Sequence, residues 1–310
     1  METYDVVVIG SGLAGLTAGF FAARYGLSTL VLEAGIPGGQ LTNIEKIEDF
    51  PGLPGGIAGY ELCPTVQRQA ADQGTQFQRV EAQGLEAQDR FWSVITPEER
   101  YRTKTVIVAT GSTLKALGIS GERELAGKGV SHCASCDGPL HKGQVVGVVG
   151  GGDSGLQEAL TLAAHAERVI VIEREAGLSA QHAFRQRVSA DARIEVRCHT
   201  VVEQIFGEDV LTGVRIRDLS TGDVSQINLS GLFIYVGLQP NTALLKNVMR
   251  LTETGHIPTD VWMKTELAGV YAVGDIRQDS AGQAITAASD GAVAAIAAYR
   301  YINETFGPVV

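Results

Sequence analysis

Residues 131–140, SHCASCDGPL, bring together two of the chain's four cysteines, Cys133 and Cys136, separated by two residues and followed at once by Asp137. Such a pair can ligate a metal, form a working disulfide or fill space. Zinc usually needs four ligands, often a second close pair of cysteines or histidines. Here Cys63 and Cys198 are isolated, and His132 and His141 have poor spacing for a closed site, so no metal is expected. A working disulfide fits better. In a C-x-x-C the N-terminal thiol is commonly acidified by helix N–H groups. His132, directly before Cys133, adds positive charge when protonated or simply faces solvent. Cys63 and Cys198 sit in apolar patterns and are read as core.

The elements that would position this pair are two copies of one nucleotide-binding start. In YDVVVIGSGLAGLTAGFFAARYGLSTLVLEAG, an apolar strand (Val6 to Ile9) leads into Gly10, Ser11, Gly12, Ala14 and Gly15. A helix follows from about Leu13 to Tyr25, and then a strand ends in Glu33. Gly10 makes the tight turn, Gly12 lets a pyrophosphate reach the backbone, and Gly15 lets helix and strand pack closely. Helix N–H groups take the phosphate charge, and Glu33 can accept from a ribose hydroxyl. The second copy runs from strand Val145–Val149 through Gly150, Gly152, Asp153, Ser154 and Gly155 to Glu173 and Arg174. Each acid lies 23 residues beyond the first glycine of its copy. Two dinucleotide sites in one chain suggest an electron relay, commonly a flavin with a nicotinamide. Two more apolar strands, KTVIVATGS ending in Thr110-Gly111 and GVYAVGDI ending in Gly274-Asp275, support a flavin at the first site. Asp275 could hold a polyol hydroxyl such as the ribityl chain of FAD, or be a turn aspartate.

Length and composition agree with two such domains: 310 residues, 45% apolar, and 38 glycines that suit an α/β protein with tight turns. Acids outnumber bases 35 to 25, a net charge of −10, with no long basic run. Nucleic acid is therefore not an expected partner, because phosphate neutralisation dominates such binding. The start, METYDVVVIG, lacks the basic region of a signal peptide. No long uncharged apolar stretch occurs, so no membrane span is expected. A cytoplasmic setting follows, where a C-x-x-C is more often catalytic or metal-binding than a structural crosslink.

In chain order the glycine fingerprint, GGQL (38–41), IEDFPG (47–52), ATGS (109–112), CASCDG (133–138), the second fingerprint, VGLQPNT (236–242) and GDI…QAITAASDG (274–291) resemble the low-molecular-weight thioredoxin reductases over almost the whole chain. The resemblance implies an α/β fold of two three-layer Rossmann-type domains, the second inserted into the first. It places an FAD-binding domain at 1–114 plus 238–310, an NAD(P)-binding-like domain with the redox pair at 115–237, and a homodimer. It puts FAD contacts on Ser11, Gly12, Ala14, Glu33, Gly39, Gln40, Asp49, Thr110, Asp275, Gln283 and Ala284, the last two offering backbone amides to the flavin's pyrimidine edge. It implies that Cys136 exchanges electrons with the flavin, that Cys133 attacks or is attacked by the disulfide of a thioredoxin-like protein, and that Asp137 moves the thiol proton. Read without the family, Asp137 could instead be a helix-capping aspartate.

The chain departs from the family in two places. Asp49 stands where Asn is usual and Gly282 where Arg is usual, which would make the anionic reduced flavin harder to reach. The family's His-Arg-Arg run and following Arg, which clasp the 2′-phosphate of NADPH, become Glu173, Arg174, Glu175 and Ser179. NADPH is disfavoured by the added carboxylates. NADH, a second FAD, or no nucleotide with ferredoxin as donor remain open for the second fingerprint. The leading reading is an FAD-dependent disulfide oxidoreductase acting on a thioredoxin-like protein, and the alternative a dithiol oxidase or diflavin enzyme. Thiol–disulfide exchange runs in either direction with potential.

Overall fold

The structure, a computed structural model, describes residues 3–309. The chain forms two compact units, one of Met1–Thr113 with Gln239–Val310, the other of Leu114–Leu238. The first unit begins with strand β1 (Thr3–Ile9), helix α1 (Leu13–Arg24) and strand β2 (Thr29–Glu33). Helix α2 (Gly59–Asp72) and strands β3 (Gln76–Arg79), β4 (Gly84–Gln88), β5 (Phe91–Ile95) and β6 (Arg100–Val108) follow. Strands β1, β2, β3 and β6 are parallel, whereas β4, β5 and β6 form an antiparallel arm. Strand β1 is buried on both faces, as its unbroken apolar run requires. Val6 and Val8 face the helices, and Val7 and Ile9 face Trp92 and Val94 of the arm. Helix α1 stops one residue short of the sequence expectation, because Tyr25 is its cap. Strand β6 ends at Val108 rather than Thr110, whose hydroxyl and carbonyl are taken by Asn241.

The chain leaves along β7 (Ser112–Leu114). The second unit then contributes β8 (Val130–Ser131), the four-residue helix α3 (Ala134–Asp137), β9 (Val145–Val149), α4 (Asp153–Ala163) and β10 (Arg168–Ile172). Helix α5 (His182–Ala190), β11 (Ile194–Arg197), β12 (Thr200–Gly207), β13 (Leu211–Asp218), β14 (Val224–Asn228) and β15 (Gly231–Ile234) complete it. A five-stranded parallel sheet has the order β11-β10-β9-β15-β8. Val146 and Val148 pack with α4 on one face, while Val149, Ile170 and Ile172 meet the antiparallel meander β12-β13-β14 on the other. Cys198 follows the edge strand β11 and is only half-buried, which corrects its reading as a core residue. An edge strand carries an apolar pattern without being covered on its outer side. Cys63, in α2, is fully buried.

The chain returns along β16 (Leu238–Pro240), which pairs with β7. Strand β17 (Val270–Ala272) then adds to the C-terminal half of β6, whose N-terminal half pairs with β5. It is shorter than GVYAVGDI suggests, because Gly274 turns left-handed (φ 72°) and starts a 3₁₀ turn over Gly274–Ile276. Helix α6 (Ala284–Phe306) closes the first unit against α1 through small residues on both helices: a Cβ at Gly291 would sit 2.1 Å from the carbonyl oxygen of Ala14. No helix among the described residues is long and apolar enough to cross a membrane.

Candidate active site and dinucleotide turns

The first glycine turn is built by close approaches. Gly10 is left-handed (φ 101°), and its amide donates to Leu32 O at 2.8 Å. A Cβ at Gly15 would stand 2.0 Å from Gly10 O, so helix and strand meet only if that residue is glycine. A Cβ at Gly12 would meet nothing within 4 Å. The backbone there is open to a pyrophosphate, and α1 starts with no side-chain cap, leaving its first amides for an anion. Glu33 braces the turn. Its Oε2 accepts from Ser11 N (2.8 Å) and Ser11 Oγ (2.7 Å), and its Oε1 accepts from Gly35 N (2.8 Å).

A cavity of about 1070 Å³ opens from this turn, a size that suits a cofactor. Gly10, Ser11, Gly12, Ala14, Glu33, Gly39, Gln40, Thr110, Gly111, Gly274, Asp275, Gln283 and Ala284 all line it. Gly15 lies behind the turn, and exposed Asp49 does not line the cavity. Gln40 Nε2 donates to Ser112 O (3.0 Å), and Gln283 is the N-cap of α6, so the first amides of that helix open toward the cavity. Asp275 accepts long bonds from Ser112 Oγ (3.3 Å) and Ser280 Oγ (3.5 Å). Burial raises its carboxyl above the ordinary value, and the two hydroxyls pull the other way. Behind it, Asp290 in α6 accepts from Gly274 N (3.0 Å) and from Arg277 Nε (2.6 Å) and Nη2 (3.2 Å).

Two contributors escaped the sequence reading. Asn241 donates to Thr110 O (2.9 Å) and offers its carbonyl to Thr110 Oγ1 (2.8 Å), holding the 110–111 turn against the cavity. Residues 80–83 line the Glu33 end, after Val80 N donates to Glu33 O. Asn241 stands in a Pro-Asn-Thr stretch that reads locally as a turn. Residues 80–83 carry no motif.

The second turn repeats the first. Gly150 is left-handed (φ 117°), its amide donates to Ile172 O, and a Cβ at Gly155 would lie 2.0 Å from Gly150 O. Glu173 Oε2 accepts a short bond from Gly151 N, and Oε1 accepts from Glu175 N (2.9 Å). Gly152 caps α4, and Asp153 in the first turn accepts from Gln181 N (2.7 Å) and Gln181 Nε2 (3.1 Å). Ser154 and Arg174 are exposed.

In the same unit Cys133 and Cys136 form a disulfide with their Cα atoms 5.3 Å apart. Buried Ala134 anchors α3 in the core, so the pair rides on a fixed turn. Cys133 is the N-cap of α3. Its amide donates to Ser131 Oγ (3.1 Å), and its Sγ accepts from Cys136 N (3.2 Å). Ser131 Oγ in turn donates to Asp137 Oδ2 (2.5 Å). The Asp137 carboxylate is therefore held by Ser131 rather than capping α3, whose cap is a sulfur. Cys136 is the more exposed of the two. His132 is exposed, with Nδ1 3.0 Å from Ile234 O. His141 is buried and bonded to Ser230 Oγ (3.1 Å).

Two glycine-turn nucleotide units with a disulfide on a short helix define a dinucleotide-linked disulfide oxidoreductase. The chain belongs to the pyridine nucleotide-disulphide oxidoreductases, whose family model matches residues 4–291. It is 39% identical to a thioredoxin reductase of Treponema pallidum, over 98% of this chain and 99% of that one. It is 36% identical to a thioredoxin reductase of Bacillus subtilis, over 98% and 96% of the two chains. A crystal structure of Lactococcus lactis thioredoxin reductase superposes with a TM-score of 0.95 at 38% identity, covering 97% of this chain and 99% of that one. The protein is a flavin-dependent, thioredoxin-reductase-like disulfide oxidoreductase that uses FAD.

Proposed function

We propose that Cys133 and Cys136 are the catalytic dithiol, with Asp137 as their proton carrier, and that their partner is the disulfide of a thioredoxin-like protein. The observation that supports this most directly is the Cys133–Cys136 disulfide itself, with Asp137 the next residue in the chain and its carboxylate held by Ser131 Oγ. FAD, when bound, supplies the two-electron chemistry. The remaining steps belong to the chain's own residues. The disulfide takes up two electrons and two protons to give two thiols. The Cys133 thiolate attacks one sulfur of the partner's disulfide, which forms a mixed disulfide and releases the other sulfur as a thiolate. Cys136 then displaces the partner from Cys133, closing the internal disulfide and freeing the second partner thiolate. Asp137, through water, lends or takes a proton as the thiols change state. Reversal runs the same steps as a dithiol oxidation.

The cavity of the first unit fits FAD. In support, its turn is open at Gly12, and Glu33 and Asp275 both line the cavity as acceptors, suited to a ribose and a polyol. The family resemblance further supports a homodimer and a cytosolic setting, where a re-reducible pair has a thiol pool to work against. The net charge of −10 speaks against a nucleic-acid partner.

The test is anaerobic. Dithiothreitol added to the FAD-loaded protein should bleach the flavin absorbance, and Cys136→Ser should abolish bleaching while flavin content is kept. Bleaching that survives in Cys136→Ser would remove the pair from the reaction.

A further inference from the structure

Two acids hold two glycine turns by the same bonds. Glu33 Oε2 accepts from the residue after Gly10, and its Oε1 from the residue two beyond the acid itself. Glu173 Oε2 accepts from the residue after Gly150, and its Oε1 again from the residue two beyond. Glu33 is the last residue of the strand next to the one that leads into its turn, and Glu173 directly follows the corresponding strand of the second copy. The first turn fits FAD, whose adenosine ribose has a free 2′-hydroxyl. From this equivalence we infer that the second turn takes an adenosine dinucleotide whose ribose likewise lacks a 2′-phosphate, and that Glu173 enforces the choice.

The geometry excludes the phosphorylated ligand on three counts. Glu173 cannot swing aside without releasing two backbone amides, Gly151 and Glu175, so its charge stays at the ribose end of the turn. Arg174 is the only cation in residues 173–181, and Glu173 and Glu175 flank it. Where a clasping cation would help, the chain has Ser179, tied to the turn by its amide to Gly151 O (3.0 Å). A carboxylate beside a dianionic phosphate is repulsive at any dielectric. The rest of the turn suits a dinucleotide. Gly152 gives the pyrophosphate a bare approach to α4, and Gln181 holds the Asp153 carboxylate. A family defined by pyridine nucleotides thus meets, in this chain, a site whose pyrophosphate half fits and whose ribose half rejects NADPH.

Free-ribose chemistry is common to NADH and to FAD, so the experiment starts from non-redox probes. Protein dialysed to one flavin per chain is titrated calorimetrically with ADP-ribose and with 2′-phospho-ADP-ribose at fixed ionic strength. ADP-ribose should bind at least tenfold more tightly, a difference of about 1.4 kcal/mol. Glu173→Gln should bring the ratio toward one, and Ser179→Arg, at an exposed position, should strengthen the phosphorylated probe. Equal or tighter binding of 2′-phospho-ADP-ribose, or no binding of ADP-ribose, overturns the inference. So does a folded Glu173→Gln that leaves the ratio unchanged. Separate titrations then assign the source: NADH binding displaced by ADP-ribose points to a nicotinamide, and uptake of a second FAD displaced by ADP-ribose to a flavin. The inference does not depend on the cysteine pair. Dithiothreitol bleaching reads that pair independently, so either conclusion can fail alone.

Discussion

Removing the charge of Asp290 should unfasten the floor of the FAD cavity. The Asp290 side chain is 6% exposed and that of Arg277 18%, and two charge-assisted bonds join them. Asp290 also accepts the amide of Gly274, one residue before the cavity's Asp275. Asp290→Asn keeps the shape and one acceptor but strands the guanidinium in a site that water reaches poorly. Breaking a buried pair from one side costs about 3–5 kcal/mol. Arg277 keeps one bond to Gln278 O (3.2 Å) and some hydration, so about 2–4 kcal/mol is expected here. The exposed pair Arg100–Glu86, with side chains 47% and 51% accessible, is the control, and Glu86→Gln should cost about 0–1 kcal/mol. Both tryptophans, Trp92 and Trp262, belong to the first unit, so urea unfolding of FAD-free protein followed by their fluorescence reports that unit alone. Asp290→Asn should also weaken FAD binding, since the Gly274–Ile276 turn carries Asp275. The double variant Arg277→Met with Asp290→Asn should recover most of the stability, because it leaves no unpaired guanidinium and keeps an acceptor for the Gly274 amide. A loss below about 1 kcal/mol for Asp290→Asn, no larger than that of the surface control, would refute the assignment of this pair as the fastening.

Gly15→Ala and Gly155→Ala should separate the two turns. Each puts a methyl 2.0 Å from a carbonyl oxygen, forcing a backbone shift worth about 1–3 kcal/mol. Flavin content should fall in Gly15→Ala and hold in Gly155→Ala, where ADP-ribose binding falls instead. Cys63 is pushed up to about 11 by burial, while half-buried Cys198 is raised by its lesser burial and the Glu173 charge. Iodoacetamide at pH 8 should therefore mark Cys198 in the native protein and Cys63 only after unfolding, as peptide mass mapping would show. The native carboxyl of Asp275 sits above its ordinary value of 3.8, so the folded state holds that proton more tightly than the unfolded chain does. Ionising it costs stability: the cost is absent below 3.8, grows as pH rises through that value, and is complete above the raised one. FAD-free Asp275→Asn should thus gain on the wild type at pH 7 and lose that gain at pH 3, read by the midpoint of urea unfolding.

What the sequence makes legible here is local. The demand for glycine at 10 and 15, and again at 150 and 155, comes from contacts within one strand–turn–helix, so spacing alone exposes it. The α/β class and the Cys133–Cys136 disulfide are legible for the same reason, because the residues that signal them are neighbours in the chain. Pairing over long separations is not legible. Nothing in RYRTKTVIV says that its first half will take an antiparallel neighbour and its second half a strand arriving more than 160 residues later. Asn241 falls within VGLQPNT, but its role is not legible there because its two bonds reach back to Thr110, and Cys198 reads as core because an edge strand carries the same apolar pattern as a central one.

The same division bears on the acids. Glu33 and Glu173 are matched in sequence by spacing, but spacing cannot tell an acid that waits for a ribose from one that merely ends a strand. The bonds do: each carboxylate spans the residue after the first glycine and the residue two beyond itself. Each therefore belongs to its turn as a structural part. Replacing Glu173 with the small or cationic residue that a 2′-phosphate needs would both remove a charge and loosen the Gly151 amide. Nucleotide choice and turn geometry are carried by one side chain, and a switch toward NADPH would require a second change, such as a cation at Ser179, to hold the loop that Glu173 now holds.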